Sequence, residues 1–203
     1  MRRRQALALV TGSLSLVAGC SSDTTTDLTP TPSKTGTEMT PESQIRELPM
    51  TTPPDPIDCD DDPRPVSRAA GDSYPDRANG FELTASKGVV TIGERITFTL
   101  TNIGDNPRGI GEKYKYNILR QHDGWEPIYF TESQAGWTDL GVRVYPGGGF
   151  RWTFTATNDG LERQNGYNPA YHVCSALEPG EYRFAFFGLG GSTISTTFMI
   201  TDA

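Results

Sequence analysis

Past residue 57 the sequence predicts an antiparallel β-sandwich of seven to eight strands, and three observations carry that expectation. Apolar residues recur at every second position, turn dipeptides separate the runs, and no stretch shows a helical period. In "ERITFTLTN", Ile96, Phe98 and Leu100 alternate with Arg95, Thr97, Thr99 and Thr101, so one face is buried. Asp123-Gly124 divides "KYNILRQH" from "WEPIYF" and predicts a two-residue hairpin in which both turn residues take positive φ. Pro146-Gly147-Gly148-Gly149 separates "GVRVY" from "FRWTFTAT", where Phe150, Trp152 and Phe154 face one way. Pro179-Gly180 opens "EYRFAFFGL", with Tyr182, Phe184 and Phe186 on one side. Gly188, Gly190 and Gly191 read as a tight hairpin before "ISTTFMI", which turns Ile194, Phe198 and Ile200 inward.

"LEPGEY", Leu177 to Tyr182, resembles the tyrosine corner of Ig-like sandwiches and gives Tyr182 a structural role. Together with "GERITFTLTN", "GIGEKYKYNILRQHDGWEPI" and "VYPGGGFRWTFTA", it resembles an Ig-like domain of bacterial and archaeal extracytoplasmic lipoproteins, over Phe81 to Ala203. The resemblance implies an all-β, antiparallel Ig-like β-sandwich and a place outside the cytoplasm, and it implies no reaction. The chain departs from the pattern at "GGGF" after Pro146 and in the long "NDGLERQNGYNPAYHVC" segment, 158–174. That segment is where a specific function would have been added.

Residues 1–19 read as an export signal: Arg2, Arg3 and Arg4, then a weakly apolar stretch from Ala6 to Gly19. Those 14 residues fall short of the roughly 20 needed to cross a bilayer. Val17-Ala18-Gly19-Cys20 resembles the lipobox of prokaryotic lipoproteins, which implies cleavage before Cys20 and lipid on its sulfur. Arg3-Arg4 also looks like a twin-arginine signal, leaving the export route open. Residues 20–56 read as a lipid-attached tether: from Ser21 on they hold ten Thr and seven Pro, and too little apolar surface to offset the entropy of ordering. As a coil this spacer spans roughly 30–35 Å. An arm, 57–80, then carries Cys59 into the sandwich, 81–203.

Removing residues 1–19 takes away three arginines and no acids, so 15 basic residues face 25 acidic ones, a net charge of −10. That balance excludes nucleic acid, whose phosphates demand a basic footprint. Four lysines among 18 basic residues, with abundant Asp, resemble the composition of proteins from salt-loving archaea.

With Cys20 taken by lipid, Cys59 and Cys174 are the remaining thiols of an exported domain, and such thiols pair by default. A blue-copper site is the alternative, from His122, His172, Cys174 and Met199. The spacing argues against it, because no His follows Cys174, and Met199 is expected in the core. Asp58, Asp60, Asp61 and Asp62 suggest calcium, yet Pro63 and Ala69 stand where an EF-hand loop needs Gly and Glu. His122-Asp123 sits at a hairpin tip, Ser192 has no nearby base, and no nucleophile elbow or phosphate loop occurs. No enzyme, metal or cofactor is expected.

Trp152 reads as core, and Trp125 either packs inward or caps its hairpin. Trp137, Tyr167 and Tyr171 have no periodic reason to be buried and are candidate partner contacts. The sequence thus points to a membrane-anchored surface domain for an envelope protein or glycan. The alternatives are a proteinase-inhibitor-like sandwich acting through loop 165–173 and, behind it, a small-ligand or copper carrier.

Overall fold

A computed structural model describes residues 44–48, 53–132 and 136–202, which belong to one compact unit, Glu38–Ala203. The signal segment, Cys20 and most of the tether lie outside the described residues.

Fifteen strands follow in chain order: β1 Ile45–Glu47, β2 Arg64–Pro65, β3 Arg77–Ala78, β4 Phe81–Ala85, β5 Val89–Thr91, β6 Arg95–Asn102, β7 Arg108–Gly111 and β8 Tyr116–Gln121. β9 Trp125–Pro127, β10 Tyr129–Thr131, β11 Gly141–Val144, β12 Gly149–Thr155, β13 His172–Val173, β14 Gly180–Leu189 and β15 Ser192–Thr201 complete the set. They build a sheet of order β1-β12-β6-β4-β3 and a second of order β5-β15-β14-β8-β9. Two small ones accompany them, β13-β10-β2 and β11-β7. Pairing is antiparallel except where β1 joins β12 and β5 joins β15. With β4, β6 and β12 opposite β15, β14, β8 and β9, the strand order follows the Ig-like arrangement.

The alternation in the sequence becomes the core. Phe98, Trp152 and Phe154 from one sheet meet Tyr116, Phe184, Phe186 and Phe198 from the other, all 4% exposed or less. Phe98 stacks on Phe184 with centroids 4.3 Å apart. Full burial of such a ring contributes about 1.5–3 kcal/mol. The Tyr182 hydroxyl donates to the Glu178 carbonyl at 2.6 Å and accepts from the Glu178 N–H at 3.3 Å, closing a tyrosine corner.

Three local expectations change. The segment read as a tether contains β1, where Ile45–Glu47 pairs with Gly149–Arg151 and Leu48 is buried. The free edge of β12 accepts any short extended segment with one apolar residue to bury, and Glu47 adds an ion pair to Arg151 at 3.2 Å. The Asp123-Gly124 hairpin forms, but neither residue takes positive φ. Gln121 pairs with Trp125, so the loop has three residues, closed by His122 N–H to Gly124 C=O at 2.9 Å. The turn with two positive φ values falls instead on Asn79-Gly80, at 51° and 75°, joining β3 to β4. Gly190-Gly191, at 61° and 100°, closes β14 onto β15. Gly149 is required by a close approach: a Cβ there would lie 1.7 Å from the Leu100 carbonyl oxygen.

Candidate functional site

The arm is the first device that shapes the surface. Residues 64–76 lie over the outer face of β8, β14 and β15, and the side chains beneath donate to their backbone. Asn117 Nδ2 reaches the carbonyls of Val66 and Arg68 at 2.6 and 2.7 Å. Arg183 reaches those of Ala69, Gly71 and Asp72 at 3.3, 2.6 and 3.2 Å. The guanidinium also lies 4.1 Å from the Trp125 ring and 5.2 Å from that of Tyr74, so Trp125 caps the sheet's outer face. A disulfide joins Cys59 to Cys174, 115 residues apart, with Cα atoms 5.5 Å apart.

Sequence reasoning grouped three aromatic residues as exposed contacts, and the structure separates them. Tyr171 is fully buried, stacked on Tyr129 at 4.7 Å and edge-on to Tyr116 at 5.2 Å. Burial beside the Tyr116 phenol pushes its own pKa well above the usual value. Its removal from the surface has a simple cause. The hydroxyl donates to the carbonyls of Tyr114 and Tyr116 at 2.9 and 3.0 Å, a bonding site that local sequence does not announce. Trp137 is half-buried and donates from Nε1 to the Tyr171 hydroxyl at 2.9 Å. Tyr167 stands 98% exposed.

The copper set does not assemble. Cys174 is in the disulfide and His122 is at an exposed hairpin tip, 3.8 Å from the Asp123 carboxylate. Met199, expected in the core, points outward on β15 because its neighbours Phe198 and Ile200 point inward. Ser192 accepts a hydrogen bond from Asn79 Nδ2 at 3.1 Å. Asp58 to Asp62 form an exposed turn in which the Asp58 carboxylate accepts from the Asp60 N–H at 2.9 Å. Among the described residues no three His, Cys, Asp or Glu side chains group to hold a metal. His172 is buried beside a cavity of about 340 Å³ that Asp55 and Glu132 also line.

A groove of different character runs along the side of the second sheet. Two cavities of about 360 and 310 Å³ share Lys115, Asp139 and Phe187. One lies between β7, β11 and the β14–β15 turn, with Gly109, Gly111 and Gly188 among its walls. The other extends toward Trp137 and Arg68. Trp137 and Phe187 meet at 85° with centroids 5.3 Å apart, forming a corner of two rings. The 158–174 segment braces this corner. Tyr171 holds the indole, Asn168 Oδ1 accepts from the Thr138 N–H at 3.0 Å, and Glu112 accepts from the Thr138 hydroxyl.

Lys115 is the unusual member. Its side chain is 16% exposed, yet its one ion-pair partner among the described residues, Asp139, lies 3.7 Å away and is fully exposed. The stem occupies space beside Gly111, where a Cβ would come within 2.8 Å of Lys115 Cδ. Sequence reading found Trp137 but missed Lys115, Asp139, Arg68 and Phe187. Phe187 was legible as an aromatic residue out of phase with Tyr182, Phe184 and Phe186.

This arrangement is a groove on the side of an all-β sandwich. No protein-family description matches the chain, and no curated protein does. Among solved structures, it is similar to a mutant β-glucosidase from Listeria innocua in complex with laminaribiose. That match has 17% identity and a TM-score of 0.30, over 60% of this chain and 16% of that one. It is also similar to the β-glucosidase EmGH1 from Erythrobacter marinus, at 13% identity and a TM-score of 0.33, over 60% and 15%. The chain therefore spans under a fifth of the length of these enzymes, and a likeness this slight bears on neither ligand nor chemistry.

Proposed function

We propose that the chain is an exported lipoprotein, anchored through lipid on Cys20 to the outer face of the cell membrane, whose sandwich binds an envelope protein or glycan without catalysing a reaction. The lipobox-like Val17–Cys20 and the Thr/Pro-rich segment after it support the anchoring. The binding role is carried by one observation: a groove with a braced pair of aromatic rings and a poorly compensated ammonium group. Such convergence of rigid rings and a few polar groups is what recognition sites use.

The proteinase-inhibitor alternative needs a protruding loop. Within 165–173, only Gly166 and Tyr167 are exposed, and Asn165, Asn168, Tyr171, His172 and Val173 are buried. Two residues are too few to lie along a protease cleft.

Membrane fractionation of the native host tests the proposal, comparing wild type with Cys20→Ser and crosslinking intact cells. The wild-type chain should sediment with membranes in its cleaved form and crosslink repeatedly to one envelope component. The Cys20→Ser chain should lose both properties. A Cys20→Ser chain that stays membrane-bound with its signal attached would overturn the anchoring, and an anchored chain with no recurrent partner would overturn the binding role.

A further inference from the structure

Resting on the reading of the chain as an envelope-binding domain, we propose that the Lys115–Trp137–Phe187 groove binds an acidic saccharide, the carboxylate of a uronic acid residue seating on Lys115 in place of Asp139. Three features of the groove select that chemistry.

The first is charge. In a chain that is strongly acidic overall, Lys115 and Arg68 converge on one cavity, and Arg68 is exposed with no ion-pair partner among the described residues. The Lys115 side chain is mostly covered, and among the described residues its one counter-charge, Asp139, lies 3.7 Å away. An ammonium with a distant, exposed partner gains from a close, charge-assisted bond, and a carboxylate at normal hydrogen-bond distance supplies one. The fully exposed Asp139 carboxylate returns to bulk water at little cost when displaced.

The second is the pair of rings. The indole nitrogen is already satisfied by Tyr171, so the ring is fixed before a ligand arrives. Phe187 stands at 85° to it, giving a floor and a side wall. The negative face of an aromatic ring attracts polarised C–H groups, and the less polar face of a pyranose presents several of them.

The third is the remaining wall. Gly109 and Gly111 line it without side chains, which leaves room for the hydroxyls of a sugar. A protein anchor side chain calls instead for a deep, apolar, water-excluding pocket. Two cavities share Lys115, Asp139 and Phe187, so a ligand of more than one sugar ring can reach into both.

Titration calorimetry with the full, purified chain tests the assignment. The probes are a galacturonate tetrasaccharide, its methyl ester, and a tetraglutamate peptide. The acid should bind, with the ester at least about tenfold weaker, the factor one lost charge-assisted bond produces. The peptide should be weaker by about the same factor, because it has no pyranose face to lay on the two rings. Lys115→Met keeps the stem and should weaken the acid by about the same factor while leaving the ester unchanged. Phe187→Leu should weaken acid and ester alike. Asp139→Asn removes the competing carboxylate and should tighten the acid by about threefold, whereas a merely structural Lys115–Asp139 pair would give no gain. Equal binding of acid and ester overturns carboxylate recognition, and tetraglutamate binding as tightly as the uronate overturns the saccharide. If the uronate fails to bind, the inference fails alone when crosslinking still finds an envelope partner, and with the binding role when it does not.

Discussion

His172 shows how one side chain's surroundings set a pH dependence. It is 2% exposed on β13, and its Nε2 has no hydrogen-bond partner. Burial lowers its pKa from the ordinary 6.5, while the Glu162 and Glu132 carboxylates pull the other way. Asp55 lines the same cavity. The folded chain therefore takes up this proton less readily than the unfolded one. Its contribution is complete above the unfolded value of 6.5 and is lost as the pH falls toward the depressed folded value. The urea midpoint of the wild type should drop on acidification through this window more steeply than that of His172→Gln. Equal slopes would mean that the carboxylates, and not burial, govern the imidazole. None of this was legible in "AYHVCS". The sequence places His172 two residues before Cys174, but its setting depends on β10, whose Phe130 pairs with it from more than forty residues away. Tyr171 is the same lesson, because the groups that hold its hydroxyl lie more than thirty residues away.

At the scale of elements, legibility tracks strand length. β6, β12, β14 and β15 run seven to ten residues, long enough for period two to show in the sequence. β1, β2 and β3 have two or three residues, too few for a pattern, and they form because an edge or a donor awaits them. The arm is held from below in this way. Arg183 lies on the outward face of β14, where alternation predicts solvent, yet it is 2% exposed and has no carboxylate partner among the described residues. Three arm carbonyls and two rings take the place of water around it. The Cys59–Cys174 bond closes a loop long enough to contribute about 4–5 kcal/mol on the chain-entropy argument. That bond tethers the arm, but Arg183 and Asn117 seat it. Arg183→Met should cost about 1–3 kcal/mol in guanidinium unfolding, since the buried Ala69 carbonyl and the part-buried carbonyls of Gly71 and Asp72 lose their donor. Protease cutting within 64–76 should accelerate in parallel. A loss under about 1 kcal/mol would mean that those carbonyls find water instead.

For the molecule as a whole, the decisive quantity is charge. The chain without its first 19 residues carries a net charge of −10, and the ion pairs among the described residues are few and mostly solvent-exposed. Exposed pairs contribute about 0–1 kcal/mol each, so salt has little attraction to remove. Self-repulsion of a surplus of carboxylates works against the compact state, and screening relieves it. The Debye length falls from about 10 Å at 0.1 M salt to about 3 Å at 1 M, which removes repulsion between carboxylates that do not touch. The core of Phe98, Trp152, Phe184 and Phe186 is also strengthened by salts excluded from the protein surface. Both effects have the same sign. The melting temperature should therefore rise steadily with added potassium chloride, and a falling one would show that the surface pairs outweigh the repulsion. At the groove the same screening relieves the long-range repulsion between a chain of net charge −10 and an anionic ligand approaching Lys115 and Arg68. Recognition that survives in high salt must then come from direct contact, the ammonium on a carboxylate and the two rings on a sugar. Binding of the uronate tetrasaccharide should gain on-rate with salt while its dissociation rate stays nearly constant, a split that stopped-flow measurement resolves.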